Sequence, residues 1–359
     1  MHVPPVTPAL ASPQPQPAAE RGSDYAKLSR RVREAGLLNR RLRYYRWKIT
    51  ITAALFAAGW TVFVLLGDSW WQLGTAVFLA LLFAQIGFLG HDAGHRQVFG
   101  SRRANNTLGV LCGNLGIGLS YGWWNGKHRR HHAHPNTEGA DPDITMTVLA
   151  FSGSQAEAGR GILRLVFRYQ AYLFIPMLFF EAISLHVGSI RALRRRPGRD
   201  GALEAGLLGI HCAGFLTVVF LVLPPGKAVA FILVQQGLFG FYLACSFAPN
   251  HKGMPILAAA DKTDFLRRQV LTSRNIRGGW LTDFAMGGLN YQIEHHLFPS
   301  MPRPSLRLSQ PLIAAFCAEH DLPYSQASLP RSYAQALRHL NTTARVARRA
   351  AVPAAVTSP

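Results

Sequence analysis

The chain is predicted to be an all-α integral membrane protein, with four transmembrane helices in two hairpins and a cytoplasmic helical cap carrying a histidine-rich site. Three observations carry that reading. Four stretches, roughly 49–66, 71–90, 205–223 and 228–247, contain no Asp, Glu, Lys or Arg, and each approaches the ~20 apolar residues that cross a bilayer. The positive charge is partitioned: of 38 Lys and Arg residues, 10 precede residue 49, 14 lie within 91–202 and 13 follow 247, which leaves Lys227 alone in a connector. Finally, histidines gather just beyond the ends of the uncharged stretches, at His91, His95 and His251.

The connectors Gly67-Asp68-Ser69-Trp70 and Pro224-Pro225-Gly226-Lys227 are turn-forming, so the four stretches pair as two hairpins. Both termini and the long middle region then share one side. The Lys and Arg bias assigns that side to the cytoplasm of the cell membrane. A formal net charge of +20 would suit nucleic-acid binding, but its distribution is explained by topology and attraction to anionic lipid. Nucleic acid is therefore set aside as a partner, and the bilayer is retained. Four scattered cysteines without a Cys-x-x-Cys pair read as reduced bystanders.

Residues 1–22, rich in Pro and Ala at the start, read as a disordered lead without a signal-peptide pattern. A membrane domain follows over 23–340, and 341–359 reads as a loose basic tail. Within the domain, 24–48 is strongly basic and closes on Tyr44, Tyr45 and Trp47, a composition expected of a helix lying on the headgroups. The apolar stretch 107–124 is broken by Gly109, Gly113, Gly116, Gly118 and Gly122, which makes a straight span costly; a re-entrant or interfacial course is expected. His134 to Asp143 reads as an irregular loop. Residues 161–190 carry Arg164, Arg168, Glu181, His186 and a central Pro176, and are expected to form a surface-lying helix pair rather than a fifth span. Pro299, Pro302 and Pro304 end the last histidine segment.

The chemistry lies in three clusters. His91-Asp92-Ala93-Gly94-His95 places two imidazoles one helical turn apart. Lys127-His128-Arg129-Arg130-His131-His132 places three at i, i+3 and i+4, expected on one helix face. Gln292-Ile293-Glu294-His295-His296 repeats that spacing with glutamine first. His251, preceded by Asn250, adds an eighth imidazole at the same depth. Eight donors are too many for one tetrahedral zinc and suit two metals with open positions. The Glu-x-x-His pairs of soluble di-iron bundles are absent, which leaves a histidine-rich iron pair able to activate O2 against an unactivated C–H bond. Asp92, Glu294 and Asp141 are expected to orient imidazoles rather than bind metal. Lys127, Arg129 and Arg130 read either as a solvated face or as contacts to a phosphate-bearing substrate headgroup. His186 and His211 read as packed or hydrogen-bonded, His2, His320 and His339 as solvated, and His134 as outside the ligand set.

These motifs resemble the three histidine boxes of the membrane fatty acid desaturases, in order and spacing, over about residues 45–325. Gln292 is similar to the front-end subgroup, which inserts a double bond between an existing one and the carboxyl end. Asn250-His251 looks like the extra histidine that members supply outside the boxes. The resemblance implies a non-haem di-iron centre on His91, His95, His128, His131, His132, His251, His295 and His296, with Gln292 a weaker donor. It implies O2-dependent desaturation of a long acyl chain carried by CoA, lipid or acyl carrier protein. No fused cytochrome b5-like domain with His-Pro-Gly-Gly is visible, so electrons are expected from a separate ferredoxin or cytochrome with its reductase. The same oxidant would serve a hydroxylase or ketolase, and a membrane metal-binding or transport protein is the reading of a different class.

Overall fold

The computed structural model describes residues 18–145 and 148–349. The part of the expected lead at 1–17, His2, and the end of the expected tail at 350–359 lie outside the described residues. Two hairpins form the core. After α1 (Ala18–Glu34), α2 (Leu42–Leu66) and α3 (Gln72–Gly94) make the first. Gln72 closes its turn by donating Nε2 to the carbonyls of Phe63 (2.6 Å) and Gly67 (3.0 Å), which satisfies carbonyls that the end of α2 leaves open. The chain then runs through α4 (Arg102–Val110), a π-helical turn at Leu111–Gly116, α5 (Tyr121–Ala133) and α6 (Gly153–Ala158). Next come α7 (Gly161–Leu178) and α8 (Glu181–Leu193), followed by the second hairpin, α9 (Arg199–Val222) and α10 (Pro225–His251). At the far turns Lys227 Nζ meets Asp68 Oδ1 at 2.7 Å and ties the hairpins together.

These four helices are long and apolar enough to cross a membrane. The protein is thus an integral membrane protein, and the helices overrun the uncharged stretches of the sequence at their histidine ends. The reason is that α3 and α10 continue past the hydrocarbon to deliver His91 and His251 in helical geometry. Phe63, Phe83, Phe231 and Phe239 pack between the hairpins, while α2 and α9 turn Leu65, Ile210 and Leu221 outward. Outward apolar side chains on helices of spanning length suit contact with lipid. On α10, Gly240 lets the start of α8 approach: a Cβ there would meet the Ala182 backbone nitrogen at 2.6 Å.

The glycine-broken stretch does not run straight. It forms α4 and the π-helical turn, as the glycine content led one to expect. Likewise α7 and α8 meet at 86°, with legs of 18 and 13 residues, so 161–190 is a bent pair.

The cap contains α11 (Phe265–Leu271), β1 (Asn275–Arg277), α12 (Trp280–Ala285), α13 (Gln292–Leu297), α14 (Arg303–Glu319), β2 (Gln326–Ser328) and α15 (Leu329–Arg349). Two expectations fail here. The basic stretch 24–48 is not one headgroup-lying helix: α1 buries Leu28 and Val32 in the cap core with Leu266, Ile293 and Phe316, and α2 already begins at Leu42. The tail is not loose over 341–349, because α15 continues to Arg349 and buries Thr343, Ala344 and Ala347. Small residues at that helical spacing allow close packing, a signal that the Ala- and Arg-rich composition concealed.

Candidate metal centre

Four elements present the histidines, and local sequence explains their orientation. α3 places His91 and His95 at its end. α5 is capped at its start by Ser120, whose Oγ accepts from the Trp123 amide (3.3 Å) and donates to Glu204 Oε2 (2.7 Å), while the Gly122 amide donates to the same carboxylate (3.0 Å). A buried glutamate on α9 thus holds the first turn of α5, where unsatisfied amides favour negative charge. α13 follows a turn in which Gly287 and Gly288 have φ of +59° and +80°, a conformation that side chains disfavour. α10 ends on Asn250 and His251.

The eight imidazoles sort into two adjacent clusters. Donor atoms of His91, His95, His128, His132 and His295 all lie within 4.8 Å of one another, and so do those of His131, His251 and His296. In the first cluster, His128 Nε2 stands 3.1, 2.9 and 3.1 Å from the Nε2 atoms of His91, His95 and His132. In the second, His251 Nε2 lies 3.3 Å from His131 and 3.1 Å from His296, with the Gln292 amide 2.8 Å away. The rings of His132 and His296 stack with centroids 4.1 Å apart and join the clusters. The expectation that His128, His131 and His132 share one face is corrected: His128 and His132 serve the first cluster, and His131 the second. Adjacent residues of an α-helix point about 100° apart, and the same divergence separates His295 from His296.

The donors fit a metal site. Both ring nitrogens of His295 and Nδ1 of His132 are buried without a hydrogen-bond partner, a cost that coordination would remove. Burial, reinforced by neighbouring imidazoles, holds His95, His128, His132, His295 and His296 well below the usual histidine range, hence neutral and with lone pairs free. At His131 burial acts in the same direction, but the Asp141 and Asp143 carboxylates outweigh it and raise the pKa.

Partners behind the rings differ from expectation in part. Asp141 does face an imidazole, with both oxygens 3.0 Å from His131 Nδ1; it also accepts the amides of Asn136 and Asp143 at 2.8 Å. Asp92 reaches His91 Nδ1 only at 3.5 Å and is chiefly held by Arg303 (2.7 Å) and Tyr45 (3.2 Å). Among the described residues, Glu294 makes no hydrogen bond to an imidazole. It accepts from Asn275 (2.7 Å) and from the Tyr324 hydroxyl, because α13 turns it away from its histidine neighbours. Asn250 donates to Gln292 Oε1 at 3.1 Å.

Lys127 pairs with Asp143 at 2.7 Å and is engaged rather than free for a headgroup, while Arg129 and Arg130 are exposed. His134 lies outside both clusters, against Arg268. His186 bonds the Gly118 carbonyl and Gln236, and His211 the Leu115 carbonyl, as packed histidines do. His339 is not merely solvated, since its Nε2 bonds the Phe151 carbonyl at 2.8 Å; His320 stacks on Phe316. Sequence reasoning missed Gln269, whose Oε1 accepts from His296 Nδ1 (2.8 Å) and whose Nε2 donates to the His132 carbonyl (3.0 Å). It also missed the Thr272 carbonyl, which accepts from His251 Nδ1 at 2.9 Å. Neither has a local pattern that marks it, because α11 reaches the site only by tertiary packing.

Fold and donor set together define the class: an integral membrane protein with a buried, histidine-lined candidate metal site next to its spans. Comparison with known proteins narrows this. The fatty acid desaturase family matches residues 68–328. The chain is 33% identical to an acyl-lipid (9-3)-desaturase of Physcomitrium patens over 85% of this chain and 59% of that protein. It is 32% identical to a Delta(5) fatty acid desaturase of Caenorhabditis elegans over 86% of this chain and 70% of the other. It is 30% identical to a Delta(8)-fatty-acid desaturase of Euglena gracilis over 96% and 84%. The chain belongs to the fatty acid desaturase family, a family of membrane oxidoreductases.

Proposed function

We propose that the protein desaturates a long fatty acyl chain, and that it does so as a front-end enzyme, placing the new double bond between an existing one and the carboxyl end. Two hydrogens leave adjacent carbons; with O2, two electrons and two protons, the products are the alkene and two waters. The observation that carries the reading is the convergence of eight imidazoles into two touching clusters within a chain of this family. Gln292 beside His251, and relatives described as Delta(5) and Delta(8) enzymes, support the front-end assignment.

His91, His95, His128, His132 and His295 would hold one iron, and His131, His251 and His296 the other, with Gln292 an additional weak donor. When bound, the irons supply O2 activation strong enough to break an unactivated C–H bond. The chain's own residues do the rest. Asp141, Gln269 and the Thr272 carbonyl set ring orientation through Nδ1, which leaves Nε2 directed inward. Burial excludes water from the reacting region.

The site faces the cytoplasm, as the Lys and Arg partition supports. That basic face docks a separate electron donor, a ferredoxin or a cytochrome with its reductase; turnover then falls as ionic strength rises, and a salt-independent rate would argue against it. The acyl carrier is CoA, lipid or acyl carrier protein. The deciding experiment is expression in a host with few unsaturated species, followed by fatty-acid methyl ester analysis. A new double bond on the carboxyl side of an existing one is expected. Hydroxy acids instead would make the protein a hydroxylase and overturn the reading.

A further inference from the structure

α12 has two unlike faces. On one, Asp283 accepts from Asn290 Nδ2 at 2.8 Å and lies 3.6 Å from Arg307. On the other, Trp280, Leu281 and Phe284 are 75%, 62% and 54% exposed, and their i, i+1, i+4 spacing gathers them into one apolar patch. A cluster of large apolar side chains left open in this way marks an interaction surface. Its depth identifies the partner. Lys48 Nζ sits 4.9 Å above the Phe284 ring, and Gln85 Nε2 donates to the Phe284 carbonyl at 3.3 Å. Lys48 is six residues beyond the first residue of α2, and Gln85 is nine before the last residue of α3. At helical rise these offsets are ~9 and ~14 Å, so α12 lies well inside the histidine-side ends of two membrane-spanning helices. It is level with the point where the basic start of α2 gives way to its uncharged span. Trp47, 62% exposed on α2, marks the same level with an interfacial aromatic.

We propose that α12 is set into the leaflet on the histidine side, with Trp280, Leu281 and Phe284 among the acyl chains just below the headgroups and Asp283 facing the cap. The patch abuts α2 and α3 at Lys48 and Gln85, within the length of two membrane-spanning helices, which is why lipid rather than a second protein is its partner. The helix leads through a short turn to the third histidine segment. The Met286 amide donates to the Thr282 carbonyl and the Gly288 amide to the Asp283 carbonyl, both at 2.8 Å, within a few residues of α13. The inference rests on the membrane spans and not on the proposed reaction, so either can fail alone.

The test uses the full chain in phosphatidylcholine vesicles whose acyl chains are brominated near the glycerol end or near the methyl end. Subtracting the emission of Trp280→Phe from that of the parent isolates residue 280 from the other tryptophans. About half or more of that component should be quenched by the shallow bromines, clearly less by the deep ones, and little by aqueous iodide, as for a helix lying in the interface. A second reporter, Leu281→Trp in the Trp280→Phe background, should behave in the same way. Quenching by iodide but not by bromolipid would place α12 in water and overturn the proposal. Insensitivity of both reporters to either quencher would mean that protein covers the patch, which overturns it equally.

Discussion

The two histidine clusters are built differently. The first gathers five imidazoles from α3, α5 and α13, and among its buried ring atoms His132 Nδ1 and both nitrogens of His295 lack any protein partner. The second has three imidazoles, and each is fixed from behind: His131 by Asp141, His251 by the Thr272 carbonyl, His296 by Gln269. An amide, Gln292, stands beside them, 2.8 Å from His251 Nε2. A donor-rich cluster tolerates loosely tethered rings, whereas a donor-poor one depends on orientation imposed by its surroundings. The first cluster should therefore depend on ligand number, and the second on its hydrogen bonds.

The largest expected effect separates them directly. His295→Ala and His131→Ala should each abolish product, a loss beyond the roughly 100-fold seen for orienting partners, while the protein still inserts into membranes. Iron analysis of purified protein should fall from two toward one per chain in both; retained activity with full iron would break the assignment. Next, Asp141→Asn should weaken the second cluster alone, with metal affinity down by about 10–100-fold. Titration with a chelator would show one ion leaving early and the other unchanged, and equal loss of both would erase the distinction.

A smaller effect of opposite sign is expected for Gln292→His. The added imidazole should slow release of the second ion to chelator, because imidazole binds iron better than an amide; faster release would mean that residue 292 does not face the metal. The smallest effect concerns α13, which serves both clusters. Burial pushes the Glu294 carboxyl up to about 7, against the favourable bonds from Tyr324 and Asn275. A carboxyl whose folded pKa exceeds its unfolded one binds more protons when folded, so its stabilising contribution is present below about 4.5 and declines as pH rises through about 7. Across that window Glu294→Gln should flatten the fall in thermal stability and leave the ratio of the two metal occupancies unchanged. An unaltered pH slope would contradict the prediction.

Much of the candidate site is visible in local spacing, because imidazoles one turn apart on a helix are neighbours wherever that helix is placed. His91 with His95, and His128 with His132, are pairs of this kind. The division of His131 from His132, and of His295 from His296, follows from the angle between adjacent helical residues but acquires meaning only once something occupies each direction. The glutamate inside the third histidine segment shows the limit. Glu294 has the sequence position of an orienting acid, yet its bonds go to Asn275 and Tyr324.

Local residue pattern suffices for the four spans, their pairing in hairpins and the level at which the histidines emerge. Hydrocarbon excludes charge over a set length, and turns must follow at its edges. Packing between elements sets which imidazoles share a cluster, brings Gln269 and Thr272 of the α11 region behind them, anchors α5 on Glu204 of α9, and docks α1 and α15 on the fold. Those contacts join residues of separate elements, 137 positions apart in the case of Gln269 and His132. Their partners are selected by packing of whole elements, which no local pattern of residues records.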